Sequence, residues 1–479
     1  MILLDFENRE NKKKGLKDVN PEYINYIKEK TANSKYYPKY HLAPKHGLMN
    51  DPNGLIEIDG WYHIFYQWFP LGPVHGLKYW YHLKTKDFIN YVDCEIGIEP
   101  DCDLDKNGCY SGMIFNEEPY SVYYTGVDKN DIQNVCVADF DKENKITNKS
   151  ICVNHNPKMT TRNFRDPFVF IKEKTKYMIV GAEDLNNKGQ IQLFKDEGNI
   201  FVDKGFLNLG NEKLGYMLEC PNFISFEDGK DVLLFSPQGI ESTDKYTYRN
   251  VFSVAYGVGK LDVEKAKFSC SKYVELDKGF DFYAPQVFVD SKKRHILLAW
   301  LGNSKCVYPS DKDQWAHMMT IPRELKLIDN ILCQYPVEEI KELRQEAVNV
   351  EHEMKLKSNT FELELEAEGD FSIVLKNNED EFISFSSIDG EYILDRSNMT
   401  HLYNEKYGMK RYGKRINKDK NKHKVRIFVD VSSIEIFVDY GFNTFTSRFY
   451  LDDFDVIQFN NCNGTLYYLD QINISKEEI

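Results

Sequence analysis

The sequence predicts an all-β protein: a five-bladed β-propeller followed by a C-terminal β-sandwich. Three observations carry that reading. Aromatic residues make up 14% of the 479 positions, with 31 Tyr and 31 Phe, a mix that favours strands. Segments of one shape recur five times, opening at Asp51, Ser111, Asp166, Glu219 and Tyr283. After MTIPREL (319–325) the regularity breaks, and short alternating strands resume near residue 351.

Residues 1–38 are charged and read as an N-terminal extension packed on the body, with one short helix over 21–30 that Pro21 suits as a first-turn residue. The segment carries no functional signal. Its start, MILLDFENRENKKKG, turns charged too soon for a signal peptide. No run approaches the roughly 18 apolar residues of a membrane span.

Each repeat is an apolar run, a short charged turn and a second apolar run, as in DPNGLIEIDGWYHIFYQ from Asp51 or DPFVFIKEKTKYMIVGA from Asp166. Such a unit reads as a hairpin. The gaps leave room for two more strands, among them 78–87, 134–141, 189–197 and 250–262. Four strands per unit and five units is the pattern of a propeller, here over 39–330. The same hairpins could also build a large sandwich. In the propeller the first strand of each blade lines the central channel, so the five opening residues meet at one mouth. Residues 331–350 read as a linker with a short helix over 336–347, and 351–479 as a sandwich that supports the propeller.

The net charge of −14 and pI near 5.4 argue against nucleic acid or an anionic membrane as partner, while the 14% of aromatics suits a cleft for a small-molecule sugar. Ten cysteines without CxxC pairs suggest neither a zinc site nor a disulfide framework, and point to the reducing cytoplasm. No His and carboxylate cluster has metal-ligand spacing, and no GxSxG, Walker or GxGxxG pattern occurs in a strand-to-helix setting. Neither a metal nor a cofactor is expected.

Alone, Asn50-Asp51-Pro52-Asn53-Gly54 is a turn, since these are the usual turn formers. As the first of five openings it presents a carboxylate at the channel mouth, and Asp166 and Glu219 open two more repeats. Splitting a glycosidic bond needs one acid to protonate the leaving oxygen and a second carboxylate to attack or to activate water. The longer Glu219 suits the acid. Asp51, held by Pro52 between two asparagine amides, suits the nucleophile. Burial and the charge of Asp51 favour a Glu219 that keeps its proton near neutrality. Asp166 can accept hydrogen bonds from sugar hydroxyls while Arg165 balances its charge, or the two can form a plain ion pair.

The ordered set HLAPKHGLMNDPNG (from His41), YQW (Tyr66), WYHLKTKDF (Trp80), YSG (Tyr110), YTG (Tyr124), FRDP (Phe164), ECPN (Glu219), DFYAPQ (Asp281), TIPREL (Thr320), RIFVDVSSIEIFVD (Arg426) and FTSR (Phe445) resembles the β-fructosidases of glycoside hydrolase family 32. The resemblance runs from about residue 38 to the end. It implies a five-bladed propeller with a β-sandwich, a retaining mechanism and no metal. It also implies Asp51 as nucleophile, Asp166 as transition-state stabiliser and Glu219 as acid/base. Asn50, Gln67, Ser111 and Arg165 would line the fructose subsite, with Tyr110 of YSG and Trp300 of LLAWLG beside them. Retention would set the Asp51 and Glu219 carboxyls ~5–5.5 Å apart. Two positions depart from the pattern. Met113 replaces a serine, which should alter the pocket beside Ser111, and Asn222 replaces an aspartate, which should remove a charge near Glu219.

The segment GPVHGLKYWYH (from Gly72) is similar to the intracellular branch that acts on sucrose 6-phosphate. His75 and Lys78, with Arg249 as a third candidate, would add positive charge for a phosphate, unless they are only rim residues of a loop. The expected reaction is hydrolysis of sucrose 6-phosphate to glucose 6-phosphate and fructose. The alternatives are the same cleavage of sucrose or short fructo-oligosaccharides, fructosyl transfer, and a carbohydrate-binding propeller without catalysis.

Overall fold

The computed structural model describes residues 3–141, 143–198, 200–403, 406–416 and 421–476. The chain is all-β apart from short helices at its start and a few single turns. Five antiparallel sheets follow one another, each built outward from an inner strand. The inner strands are Gly47–Ile58, Gly108–Phe115, Thr160–Lys172, Met217–Ser225 and Tyr283–Val289. They pack side by side in order, and the fifth packs back on the first. The sheets belong to a propeller, and the five residues expected to open the repeats all lie on these inner strands.

Every inner strand is irregular at the same level. In the first, Asn50 and Asp51 together oppose a single residue of the next strand, between Met49↔Trp68 and Pro52↔Tyr66. Ser111 is the extra residue of the second. Asp166-Pro167, Cys220-Pro221 and Ala284-Pro285 are two-for-one bulges in the third, fourth and fifth. Proline cannot donate to a ladder, so bulges are where a strand can hold it. Asp166, Cys220 and Ala284 take φ of +66°, +45° and +46° there, strained for residues with a Cβ.

The helix expected over 21–30 is present as Pro21–Ala32. Asn20 caps it by accepting from the Glu22 amide, and the four-residue spacing of Tyr23, Ile27 and Thr31 forms its buried face. Tyr23 donates to the Leu71 carbonyl at 2.8 Å, which fixes the helix to the first sheet.

The linker differs from expectation. Instead of a helix over 336–347 there is a single 3-10 turn, Glu338–Leu343. Ile331–Pro336 completes the fifth sheet and Arg344–Asn349 already belongs to the sandwich. Ile340 and Leu343 are the only buried residues of the turn, too little apolar face for a longer helix.

The sandwich is one ten-stranded sheet folded on itself. Its spine is the strand Thr360–Lys376, which bends at Gly369 (φ +62°) and pairs with Lys422–Asp430 before the bend and Phe382–Ile388 after it. Phe361, Leu363, Ile373, Phe385, Ile427, Ile436 and Leu466 fill the space between the layers. The last strand, Asn473–Lys476, leaves the sandwich and pairs in parallel with Asn90–Asp93 on the outer edge of the first sheet. Sandwich and propeller are joined by buried ion pairs. Asp430 accepts from the amides of Lys39, Tyr40 and His41, and Arg323 reaches both Glu435 and Asp277. Among the described residues no helix is long and apolar enough to cross a membrane.

Candidate active site

A cavity of about 620 Å³ opens where the inner-strand bulges meet. Asn50, Asp51, Gln67, His75, Lys78, Tyr110, Arg165, Asp166, Glu219 and Trp300 all line it. Ser111 lies just beneath, bonded to two of them. Every expected site residue except Arg249 is therefore in or against one cavity.

Asp51 is held from one side. Ser111 Oγ donates to its Oδ2 at 2.5 Å, Asn50 Nδ2 donates to Oδ1 at 3.0 Å, and the Cys220 thiol lies 3.6 Å from Oδ2. Behind this row the amides form a chain: Asn50 Nδ2 also donates to Gln67 Oε1 at 2.6 Å, and Gln67 Nε2 donates to Ser111 Oγ at 2.7 Å. Burial pushes the Asp51 carboxyl above the usual carboxylate range, the Ser111 and Asn50 bonds pull it back, and the Glu219 charge adds to the rise. Lys78 is 4% exposed and donates to Asn50 Oδ1 at 2.6 Å. Burial lowers its ammonium to about 7, against the opposing pull of Asp51.

Glu219 is held by a different set. Arg165 donates to its Oε1 from Nε at 2.9 Å and Nη2 at 2.6 Å, while Gln238 and Tyr283 each donate to Oε2 at 2.6 Å. Arg165 is itself fixed by Asn163 Oδ1 at 2.8 Å and Gln133 Oε1 at 3.3 Å. Arg165 therefore pairs with Glu219 in the resting site rather than with its neighbour Asp166. Asp166 accepts from the Cys220 amide at 3.0 Å, and its own amide donates to Thr125 Oγ1 at 2.8 Å. Burial raises the Asp166 carboxyl to about 7. Arg165 opposes the rise, and the Glu219 and Asp51 charges reinforce it.

Two buried nitrogens that line the cavity, His75 Nε2 and Trp300 Nε1, have no hydrogen-bond partner among the described residues. Their rings meet edge to face at 5.8 Å. Buried polar groups are normally satisfied, so a pair left open in a cavity is what a hydroxyl-rich ligand would fill. Burial first, then the nearby charges of Lys78, His317, Lys305 and Lys12, holds the His75 imidazole far below its usual range, so His75 is neutral.

Three expectations are corrected. Arg249 does not reach the cavity; it stacks on Tyr407 of the sandwich at 4.7 Å and donates to the Tyr407 carbonyl. Met113 does not line the pocket beside Ser111: the extra residue at Ser111 breaks the strand's alternation, and the Met113 sulfur turns into the core, accepting from the Val169 amide. Asn222 does not face Glu219. Its Nδ2 donates to the Cys220 and Pro285 carbonyls and its Oδ1 accepts from the Val287 amide, tying the fourth inner strand to the fifth.

Sequence reasoning assigned no role to Cys220, Gln238, Gln133 or Asn163, and none to Tyr283 beyond opening a repeat. Tyr283 and Cys220 carried a positional signal at the blade openings. Gln238 closes the second strand of the fourth repeat, where its pairing with Met217 brings it beside Glu219. Lys12, Lys13, Ser304 and Lys305 line the cavity too, and no periodicity marked them. Asp101, Cys102 and Asp105 lie close enough together to hold a cation, but the Lys149 ammonium bonds both carboxylates, at 2.7 and 2.8 Å.

Residues 41–336 match the N-terminal domain of the glycosyl hydrolases family 32, and 335–476 match the C-terminal domain of the same family. The chain is 40% identical over 432 residues to a sucrose-6-phosphate hydrolase of Vibrio alginolyticus, covering 88% of each. It is 35% identical over 450 residues to one of Bacillus subtilis, covering 88% of this chain and 91% of that one. The solved sucrose-6-phosphate hydrolase of Lactobacillus gasseri superposes with a TM-score of 0.92 at 30% identity, over 97% of this chain and 99% of that one. With both domains matched in order and the carboxylates gathered at one mouth, the chain belongs to glycosyl hydrolase family 32.

Proposed function

We propose that this glycoside hydrolase cleaves the β-fructofuranosyl bond of sucrose 6-phosphate, releasing glucose 6-phosphate and fructose with retention of configuration. One observation carries the mechanism: two carboxylates share a cavity but no partner, Asp51 bonded to Ser111 and Asn50, Glu219 to Arg165, Gln238 and Tyr283. The substrate comes from the relatives, which bear the name sucrose-6-phosphate hydrolase.

Asp51 attacks the anomeric carbon of the fructosyl unit while Glu219 gives its proton to the bridging oxygen, so the glycosidic bond breaks as the Asp51 ester forms. Water then attacks the same carbon, Glu219 recovers a proton from it, and Asp51 leaves as the free carboxylate. The Tyr283 hydroxyl can donate or accept, so it keeps its bond to Glu219 through both steps. Asp166, with one oxygen on the Cys220 amide, receives fructosyl hydroxyls as positive charge grows at the anomeric carbon. Asn50, Gln67, Tyr110, Ser111, Arg165 and Trp300 frame the fructosyl unit, and His75 and Lys78 stand beside it.

The five inner strands, each packed on the next and the last on the first, support a five-bladed propeller. No disulfide joins any of the ten cysteines, which supports a cytoplasmic site of action.

The test compares kcat/KM for sucrose 6-phosphate, sucrose and inulin, and repeats the first with Asp51→Asn. Sucrose 6-phosphate should be the preferred substrate, and Asp51→Asn should lose roughly four orders of magnitude in kcat. Equal rates on sucrose and sucrose 6-phosphate remove the phosphate from the reading. Full activity in Asp51→Asn removes the mechanism.

A further inference from the structure

The two lysines of the N-terminal segment at the cavity have no counterpart in the catalytic chemistry. Lys12 ends the short helix Arg9–Lys12, and its carbonyl accepts from the Leu77 amide at 2.7 Å. Gly76 makes that approach possible, since a Cβ there would sit 2.7 Å from the Lys12 oxygen. Phe6 packs edge to face on Phe69 at 5.7 Å, and the Leu16 amide donates to Tyr79 Oη at 3.2 Å. The segment is thus fastened on both sides of Lys12 to the loop that carries His75 and Lys78. From the fifth sheet, the turn after Leu301 brings Ser304 and Lys305 to the same cavity, its shape set by Asn303 Oδ1 on the Lys305 amide at 2.9 Å.

We propose that Lys12, Lys13 and Lys305, with Ser304, form a phosphate-binding site at the mouth of the cavity, and that this site selects a 6-phosphorylated sugar over the unphosphorylated one. The inference rests on the substrate reading above and moves the phosphate away from the two residues first expected to hold it. Lys78 is already spent, buried with its ammonium on Asn50 Oδ1 and its charge facing Asp51. His75 is neutral and brings no charge. Lys12 and Lys305 have no carboxylate partner among the described residues, and Lys13 has only the exposed Glu10 at 3.1 Å. Flexible ammonium groups serve phosphates as point charges, and a hydroxyl such as that of Ser304 adds a neutral donor. Asn107, Asp131, Gln133 and Asn163 also line the cavity. A chain with a net charge of −14 repels a dianionic substrate at long range, and a local cationic patch is what overcomes that.

The deciding quantity is the ratio of kcat/KM for sucrose 6-phosphate to that for sucrose. In Lys12→Ala/Lys305→Ala it should fall on the order of tenfold to a hundredfold, the cost of losing charged contacts to phosphate, and the loss should appear in KM rather than kcat. Lys12→Arg/Lys305→Arg, which keeps both charges, should hold most of the wild-type ratio. With sucrose as substrate, inorganic phosphate should inhibit the wild type competitively, and the alanine variant about tenfold more weakly. A wild type that prefers sucrose 6-phosphate, with a double alanine variant that keeps the same ratio and the same phosphate inhibition, overturns the site and leaves the substrate reading standing. A wild type without preference overturns the substrate reading itself, and the site with it.

Discussion

His41 Nε2 lies 2.7 Å from Glu435 Oε1, and neither side chain is accessible to solvent. The other ring nitrogen of His41 lies 2.8 Å from Asp430 Oδ2. One imidazole from the strand-entry segment HLAPKHGLMNDPNG therefore bridges two carboxylates of the sandwich, ten residues before Asp51. Burial works against its charged form, and the two carboxylates outweigh burial to raise it to about 9.

This makes propeller–sandwich docking pH-dependent. The unfolded imidazole titrates near 6.5, so the contribution is fully present below about 6.5 and is lost as pH rises through about 9. It is worth about 3 kcal/mol at most. Thermal unfolding followed from pH 6 to 10 should show a falling Tm over that window. In His41→Gln the slope from this group should vanish, with about 3–5 kcal/mol lost at pH 6, because Asp430 and Glu435 remain buried with fewer donors.

Ser111→Ala removes a hydrogen bond that holds the Asp51 carboxyl down. The proposed mechanism needs Asp51 ionised, so the acid limb of the kcat/KM profile should move to higher pH, and kcat at neutrality should fall on the order of ten- to a hundredfold. A profile recorded from pH 4 to 8 decides; an unmoved acid limb would show that Ser111 does not tune Asp51.

Asp166 is held in a site that disfavours its charge. Its carboxyl rises to about 7 in the folded chain from about 3.8, so the native state holds the extra proton and stability falls as pH rises between those values. Asp166→Asn removes that penalty. Above pH 7 the variant should be more stable than the wild type by about 1–2 kcal/mol, while its kcat/KM drops by orders of magnitude. Denaturant unfolding at pH 5 and pH 8 measures it: the gain belongs at pH 8.

Lys78 titrates near 7 by burial and holds Asn50 Oδ1 most strongly as an ammonium, through a charge-assisted hydrogen bond. Loss of its proton weakens the grip on Asn50 and hence on Asp51. An alkaline limb of kcat near 7 should result, and Lys78→Arg, which stays charged throughout, should lack it.

Arg249→Ala should leave KM for both sucrose 6-phosphate and sucrose unchanged, because the guanidinium sits on Tyr407 and outside the cavity. A rise in KM for the phosphorylated sugar alone would restore Arg249 as a phosphate ligand.

Much of the site could be read along the chain because one device recurs. Asp51, Ser111, Asp166, Glu219 and Tyr283 open repeats of one shape, and all stand at or beside a bulge at the same level of an inner strand. Period and spacing report such a device. They do not report which donor meets which carboxylate: Arg165, neighbour of Asp166, bonds Glu219 instead, 54 residues away. Lys12 was silent because its place is set by a glycine gap at Gly76 and an aromatic contact at Phe69, neither of which has a local signature. The helix over 336–347 failed for the opposite reason, since a run with helix-forming residues was claimed at both ends by sheets. The strands Phe382–Ile388, Glu391–Asn398 and Lys410–Lys414 were missed between clearer neighbours.

The parallel strand Asn473–Lys476 has a consequence for how the enzyme comes into being. It seals the sheet that carries Asp51, and the Ser475 hydroxyl reaches the Tyr91 carbonyl across 384 residues of chain. Until that pairing forms, the sheet that carries Asp51 keeps a bare outer edge, a row of unpaired groups open to wrong pairing. A variant without Asn473–Lys476 would keep every residue that lines the cavity and yet hold them on an unsealed sheet.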